Sequence, residues 1–225
     1  MTETALKVRI DLHVHTRHSH DSAAPVDSVL RRCQDSGLGM VAITDHDNIR
    51  GGLEARERAA GFPVIVGEEI KSAKGDIIGL FLEEPVPSRL SPQETARRVK
   101  DQGGLVGVPH PFDRVRPTAM GLRAIEEILP WVDFLEGYNA HTFLSMDNRR
   151  GVEFAGAHAL PVVACSDSHS ALELGRTFTE VPADELNGTP EGLMRAIRRG
   201  ACVGRRPNPW LMLTPAYAKL CKLVA

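Results

Sequence analysis

The sequence from residue 8 to residue 21 reads VRIDLHVHTRHSHD. Apolar and polar residues alternate strictly in its first half, and this period of two predicts a β-strand. Because side chains two positions apart share one face of a strand, His13 and His15 present two imidazoles side by side. The strand ends at His15, since the next residues are almost all polar. The loop that follows carries three further metal-type residues, His18, His20 and Asp21.

The composition describes a single soluble protein of ordinary size. A chain of 225 residues with 42% hydrophobic residues can bury one well-packed core. A net charge of −2 does not favour extended binding to nucleic acid or to an anionic membrane. The four cysteines are widely spaced and fit reduced thiols. With no signal-peptide pattern and no apolar run near the ~20 residues of a membrane span, we expect a cytoplasmic protein.

Strand and helix patterns alternate along the chain. The periodicity predicts helices over residues 26–33, 53–60, 91–102, 120–129, 147–158 and 190–199. It predicts further strands over residues 40–44, 63–66, 77–82, 105–108, 132–135 and 161–165. Such alternation indicates a parallel sheet built from right-handed βαβ units. No linker interrupts it, so we expect one domain over residues 1–205.

The remaining residues, 206–225, form a C-terminal tail. Its apolar residues predict a short amphipathic segment that packs on the domain, with a dimer contact as the alternative. These residues are Trp210, Leu211, Leu213, Tyr217, Leu220 and Leu223.

Histidine and carboxylate side chains recur where the predicted strands end. In parallel α/β folds that edge holds the functional site. The spread over many strands favours a barrel, because only closure brings the first and last strands together. The candidate metal ligands are His13, His15, His20, His46, Glu69, His110, Asp167 and His169.

Imidazole and carboxylate groups are the ligands that zinc, manganese and iron accept in catalytic sites. Eight candidates exceed what one metal takes from protein, so more than one metal is implied. A carboxylate such as Glu69 or Asp167 can bridge two cations. Clusters of this kind position a hydroxide and bind the oxygens of a phosphate.

Five motifs, taken in order, resemble those of the polymerase and histidinol phosphatase (PHP) superfamily. They are DLHVHT at 11–16, ITDH at 43–46, GEEI at 67–70, PHP at 109–111 and SDSH at 166–169. The resemblance covers about residues 8–205. It implies a distorted TIM-like (β/α)7 barrel and metal-dependent phosphoester hydrolysis with two or three Mn, Zn or Fe ions.

The resemblance also assigns ligands. It assigns the first metal to His13, His15, Glu69 and Asp167. Through it, Glu69 bridges to a second metal that is also held by His110. It assigns the third metal to His20, His46 and His169, with His18 or Asp21 able to replace His20. The family often has a histidine at the end of the fourth strand, whereas residues 77–82 contain none. The second metal is therefore weakly held, completed by water or completed by His141.

For several neighbouring residues the sequence allows more than one role. Glu68 competes with Glu69 for the bridging position, and the motif favours Glu69. Asp11 and Asp45 adjoin ligands and can accept a histidine ring N–H or serve in packing. Phosphate also attracts arginine and lysine side chains, and we expect Arg114 and Arg176 to take this role. The basic residues near strand ends are Arg17, Lys71, Arg114, Arg116, Arg149 and Arg176.

The sequence thus predicts a metal-dependent phosphoesterase in which a metal-bridging hydroxide attacks phosphorus, with Asp167, Glu69, Arg114 and Arg176 as catalytic residues. The expected substrate is a small phosphate ester: a phosphomonoester, a nucleotide phosphate or a short oligonucleotide. Histidinol phosphate, a non-catalytic metal-binding barrel and amidohydrolase chemistry are the alternatives. The sequence does not indicate an oligomeric state.

Overall fold

The computed structural model describes residues 6–205, 210 and 213–224. Within them the strands are β1 (Lys7–Val14), β2 (Leu38–Ile43), β3 (Val64–Ser72), β4 (Gly75–Leu80), β5 (Leu105–Val108), β6 (Phe134–Asn139), β7 (Val162–Cys165), β8 (Phe178–Pro182) and β9 (Ala201–Val203). The α-helices are α1 (Val26–Asp35), α2 (Arg50–Arg58), α3 (Pro92–Asp101), α4 (Gly121–Ile128), α5 (Ser145–Ala157), α6 (Pro190–Arg198) and α7 (Thr214–Val224). The predicted helices agree with α1 to α6 within a few residues.

The strands form one sheet in the order β7-β6-β5-β4-β3-β2-β1-β8-β9. The ends of β1 and β7 also meet, because the backbone N–H of His15 donates to the carbonyl oxygen of Ser168 at 2.9 Å. Val14 and Ser168 form a parallel bridge at the same point. The sheet is therefore a nearly closed α/β barrel, and the prediction of a distorted TIM-like barrel is confirmed.

The prediction of a parallel sheet is wrong for β4, and β8 and β9 are strands that the sequence analysis did not predict. β4 runs antiparallel to both β3 and β5, and β8 and β9 extend the sheet beyond β1 in antiparallel fashion. Only two residues separate β3 from β4. A connection that short closes a hairpin, whereas a parallel crossover needs a dozen residues or more. β3 is also longer than predicted, so Glu69 lies within the strand.

An apolar core fills the barrel and separates the two ends of its strands. Ile10, Leu12 and Phe134 pack inside it, and α6 adds Leu193 and Ile197 to the same cluster. Two further clusters lie between the sheet and the surrounding helices. Full burial of each such side chain contributes roughly 1.5–3 kcal/mol, so packing fixes the strands that carry the polar residues.

The tail is described in part. Trp210, Leu213, Tyr217 and Leu220 are each more than half exposed. Leu211 and the side chain of Leu223 lie outside the described residues, so packing of the whole tail on the barrel stays a prediction. None of the helices that the structure describes is long and apolar enough to cross a membrane.

Candidate metal centre

A bulge in β1 directs its two histidines toward the end of the barrel. β1 advances three residues from Asp11 to Val14, while β2 advances two over the paired segment. An extra residue in one strand re-aims the side chains around it. Leu12 consequently packs in the barrel interior, Val14 packs beneath the helices, and His13 joins His15 in one polar group.

The first ligand group consists of His13, His15, Glu69 and Asp167, all completely buried. The Nε2 atom of His13 lies 3.0 Å from Nε2 of His15 and 3.0 Å from Oε2 of Glu69. Oδ1 of Asp167 lies 3.4 Å and 3.3 Å from the same two ring nitrogens, and it has no hydrogen-bond partner. Four ligand atoms, one of them an unpaired carboxylate oxygen, thus converge on one point.

The ionisation of this group fits a cation site. Burial opposes charge here, yet Asp167 and Glu69 raise the pKa of His13 well above its usual value. Against the same burial, the nearby carboxylates of Asp167 and Glu69 raise the pKa of His15 to about 10. The pKa values of both carboxyl groups are well below their usual range despite burial. A divalent cation would take the place of protons shared among these groups, and their donor set suits Zn, Mn or Fe.

Glu69 joins the first group to a second. Its Oε2 faces His13, while its Oε1 lies 2.9 Å from Nε2 of His110. Asp76 completes this second group, and its Oδ2 is buried without a partner. Burial, followed by the charge on Glu69, raises the pKa of Asp76 to about 6. A carboxylate with one oxygen toward each group has the geometry of a bridging ligand.

Asp76 is a residue that the sequence analysis missed. The sequence pattern predicts the fourth strand at residues 77–82, a range that excludes Asp76. Because β4 is antiparallel, its beginning lies at the edge where the parallel strands end, and Asp76 is its second residue. His141, which was considered for this position, lies elsewhere, with its ring 5.5 Å from that of His169.

The third group contains Asp21, His46 and His169, with His15 adjoining it. The carboxylate of Asp21 lies 3.2 Å from Nε2 of His46 and 3.4 Å from Nε2 of His169. Burial and the nearby His15 lower the pKa of His169 to about 4, so its ring is neutral and able to bind a cation. The structure brings His46 and His169 together as expected, with Asp21 as their carboxylate partner.

The other loop candidates lie outside this group. The side chain of His20 is 61% exposed, and its Nε2 is 3.7 Å from Asp21. His18 pairs instead with Glu54 on α2 at 2.5 Å. Of the three residues that the loop offered, Asp21 has the ligand geometry.

His141, His169 and Glu173 form a further cluster that the local backbone explains. Glu173 accepts the backbone N–H groups of His169 and Ser170, and with Ser170 it forms a capping box on a 3-10 turn. Its other oxygen accepts the hydroxyl proton of Thr214. Glu173 thus supports the backbone at His169, and its Oε1 also lies 3.4 Å from Nε2 of His141.

Backbone geometry at the site is unusual at two ligand-type residues. His110 and Asp167 have φ angles of +30° and +52°, in the left-handed region that non-glycine residues rarely adopt. Such conformations cost of the order of 1–3 kcal/mol each and persist where the surroundings impose them. The fold therefore stores strain at the positions where these two side chains meet Glu69 and the two histidines of β1.

The carboxylates behind the ligand groups have different roles. Asp11 accepts the backbone N–H groups of His13 and Ser166, and Asp45 accepts the backbone N–H and the hydroxyl proton of Thr16. Among the described residues neither accepts a hydrogen bond from a histidine ring, so the structural role, which the sequence left open beside the ring contact, is the one observed. Glu136, which the sequence analysis did not single out, takes that role, with Oε1 2.7 Å from Nδ1 of His13.

Among the arginines that the structure describes, one reaches the site. Arg116 donates through Nη2 to Oδ2 of Asp167 at 2.7 Å. Arg114, which the sequence favoured, donates to Asp147 at 2.8 Å, and Arg176 is exposed without a side-chain partner among the described residues. Arg114 and Arg116 are two positions apart in one loop, where no periodicity distinguishes them.

The fold and the ligand groups define an α/β barrel with metal-type sites at the ends of its strands. The sequence profile of the PHP domain family matches residues 11–154, and a second profile, described as PHP-associated, matches residues 145–202. The chain belongs to the PHP domain family, and the resemblance seen in its motifs is confirmed.

The chain is also similar to two uncharacterized archaeal proteins and to a solved structure. An uncharacterized protein from Methanocaldococcus jannaschii is 38% identical over 144 residues, which cover 59% of this chain and 84% of the relative. A second uncharacterized protein from that organism is 31% identical over 183 residues, covering 80% and 72% respectively. A solved two-domain protein from Bacteroides vulgatus, containing a predicted PHP-like metal-dependent phosphoesterase, has a TM-score of 0.73 at 22% identity. That similarity covers 96% of this chain and 70% of the other, and it shows the same barrel fold.

Proposed function

We propose that this protein is a metal-dependent hydrolase of small phosphate esters. The observation that carries the proposal is the position of Glu69, whose two oxygens face two separate ligand groups. Paired cation positions joined by a carboxylate suit the clamping of a phosphate and its nucleophile. Three groups of residues would hold the cations: His13, His15, Glu69 and Asp167; Glu69, Asp76 and His110; and Asp21, His46 and His169.

Bound divalent cations would lower the pKa of water toward neutrality and stabilise charge on the phosphoryl oxygens. The protein's own groups orient the ligands for this purpose. Oδ2 of Asp167 accepts hydrogen bonds from Arg116 and Asn139, which leaves Oδ1 directed at the first group. Arg116 also presents a positive charge beside the site, where it can bind a phosphoryl oxygen. Asp167 therefore orients a ligand oxygen, and Arg116 binds the phosphate and stabilises its negative charge.

The expected substrate is a phosphomonoester, a nucleotide phosphate or a short oligonucleotide. A net charge of −2 gives little electrostatic attraction for a long polyanion. The free, buried thiols of Cys33 and Cys165 fit a reducing compartment, so we place the protein in the cytoplasm. Two or three Mn, Zn or Fe ions per chain would complete the site.

Metal analysis and a substrate panel test this proposal together. The protein is purified, loaded in turn with Mn, Zn or Fe, and assayed with p-nitrophenyl phosphate, nucleotides and histidinol phosphate. We expect at least two metals per chain and phosphate release that Asp167→Ala abolishes without unfolding the protein. A non-catalytic metal-binding barrel would bind metal and release no phosphate. Full turnover by a folded Asp167→Ala variant would contradict the proposed site.

A further inference from the structure

Helix α7 lies beyond both family-matched ranges, yet it is anchored beside the third ligand group. At its beginning, Thr214 donates a hydrogen bond to Glu173, in the turn that follows His169. Near its end, Lys222 donates to the backbone carbonyl of Arg17 at 2.8 Å and also to that of Ser19. The helix therefore spans from the turn after His169 to the loop that carries Asp21.

Lys219 lies between these anchors and points at the site. Its Nζ atom is 3.5 Å from Oδ2 of Asp21, the same oxygen that lies 3.2 Å from His46. The Lys219 side chain is 49% exposed, so its ammonium group is at the solvent side of the third group. Ala218, its neighbour in α7, is buried, which fixes the helix face from which the lysine extends.

We propose that Lys219 is a substrate-binding residue that contacts an oxygen of the substrate phosphate. The inference rests on the proposed function, because it needs a phosphate at the ligand groups. An Asp21 oxygen that binds a cation has less charge left for the lysine, and a dianionic phosphate is the natural new partner for the ammonium. Lysine binds phosphate as a compact point charge.

Arg116 and Lys219, two cationic side chains among the described residues at the site, then have complementary positions. Arg116 lies beside the first group, where it contacts Asp167, and Lys219 lies beside the third group, where it contacts Asp21. A phosphate at the three groups would lie between them. Lys222 has a different role, since its hydrogen bonds go to backbone carbonyl oxygens and hold the helix on the loop.

The test compares Lys219→Met with Lys219→Arg in the full, metal-loaded chain. Lys7→Met serves as the matched control, since Lys7 is an exposed lysine at the start of β1, the opposite end of the strand. We expect Lys219→Met to raise KM for p-nitrophenyl phosphate at least tenfold, to change kcat less than threefold, and to weaken inorganic phosphate binding by a similar factor in calorimetry. Lys219→Arg should recover most of both losses, and Lys7→Met should match the wild type.

Two outcomes would overturn the inference. Unchanged KM and unchanged phosphate affinity in Lys219→Met would show that the lysine does not bind phosphate. Tighter metal binding in Lys219→Met with unchanged phosphate affinity would show that the lysine merely competes for Asp21. The calorimetric measurement needs no turnover, so it decides the role of Lys219 even if the wild type hydrolyses none of the esters, a result that would count against the proposed function alone.

Discussion

Nδ1 of His13 lies 2.7 Å from Oε1 of Glu136, and both side chains are completely buried. Burial opposes ionisation of Glu136, yet the charge on His13 keeps the pKa of this carboxyl below its usual value. An ionised carboxylate only accepts hydrogen bonds, so Nδ1 carries the proton and Nε2 faces the first ligand group. A carboxylate behind a metal-binding histidine fixes its ring and increases its basicity.

Glu136→Gln should therefore weaken metal binding by about 10- to 100-fold while preserving the fold. The amide keeps the side-chain volume and one acceptor oxygen but removes the charge. Affinity can be measured by competition with a fluorescent chelator. Glu185→Gln, at a surface ion pair with Arg195 and Arg199, is the control. Equal affinities in wild type and Glu136→Gln would show that Glu136 has no part in orienting His13.

Glu68 and Glu69 provide an internal comparison on adjacent positions of β3. Glu69 faces the ligand groups, whereas Glu68 accepts the backbone N–H of Val86 at 2.8 Å. Successive strand residues point to opposite faces. Glu69→Gln should lose at least one metal per chain and reduce kcat/KM by about 100-fold or more. Glu68→Gln should retain both properties, as measured by elemental analysis and steady-state kinetics. Equal losses in the two variants would disprove the bridging role.

Substitutions of Arg116 and Arg114 distinguish the arginine that lies at the site in the structure from the arginine that the sequence favoured. Arg116→Met removes the positive charge next to Asp167, and we expect kcat/KM to fall about 100-fold, the usual cost of losing one charge-stabilising donor. Arg114→Met breaks the ion pair with Asp147 and should change kcat/KM less than threefold. The reverse order of effects in the same assay would restore Arg114 as the catalytic arginine.

The strand-end residues could be predicted because their positions follow from periodicity. His13, His46, His110 and Asp167 each come at the end of a recognisable apolar strand, and closure of the barrel brings those ends together. The loop ligand could not be chosen in this way. His20 and Asp21 are neighbours in an irregular segment, and only the folded loop determines that the carboxylate of Asp21, between His46 and His169, is the buried one while His20 is exposed.

The direction of β4 could not be predicted, because apolar alternation is the same in parallel and antiparallel strands. Its direction follows from the length of the connection to β3, and that length depends on where β3 ends. With β3 placed at residues 63–66, a long connection to the next strand remained possible. With β3 extending to Ser72, two residues remain before Gly75, and the strands must be antiparallel. Asp76 then lies at the functional edge.

Asp76→Asn tests that placement. An amide binds divalent cations less strongly than a carboxylate, so the second group should lose its metal while the first group keeps its own. We expect the metal content to fall by about one ion per chain and hydrolysis to decrease by at least tenfold. Elemental analysis after dialysis gives the count. Unchanged metal content would show that His110 and Glu69 hold the second cation without Asp76.

The stability of the protein without metal should decrease as the pH rises above about 6.5. Burial opposes a charge on His15, yet the nearby carboxylates of Asp167 and Glu69 raise its pKa from 6.5 to about 10. Between these values the folded chain holds a proton that the unfolded chain has released, so raising the pH favours unfolding. Burial raises the pKa of Asp11 to about 7, which acts in the same direction at lower pH. Below about pH 4, the low pKa values of Glu69 and Asp167 reverse the sign, and acid destabilises the fold.

Metal binding should oppose this trend, because a cation binds the deprotonated imidazole and stabilises only the folded chain. We expect the Tm difference between manganese-loaded and chelator-treated protein to increase from pH 6 to pH 8.5, measured by thermal denaturation at fixed metal excess. In His15→Gln the Tm of the chelator-treated protein should depend less on pH, since the proton-binding ring is gone. A Tm difference that is constant across this range would show that protons and metal do not compete at His15.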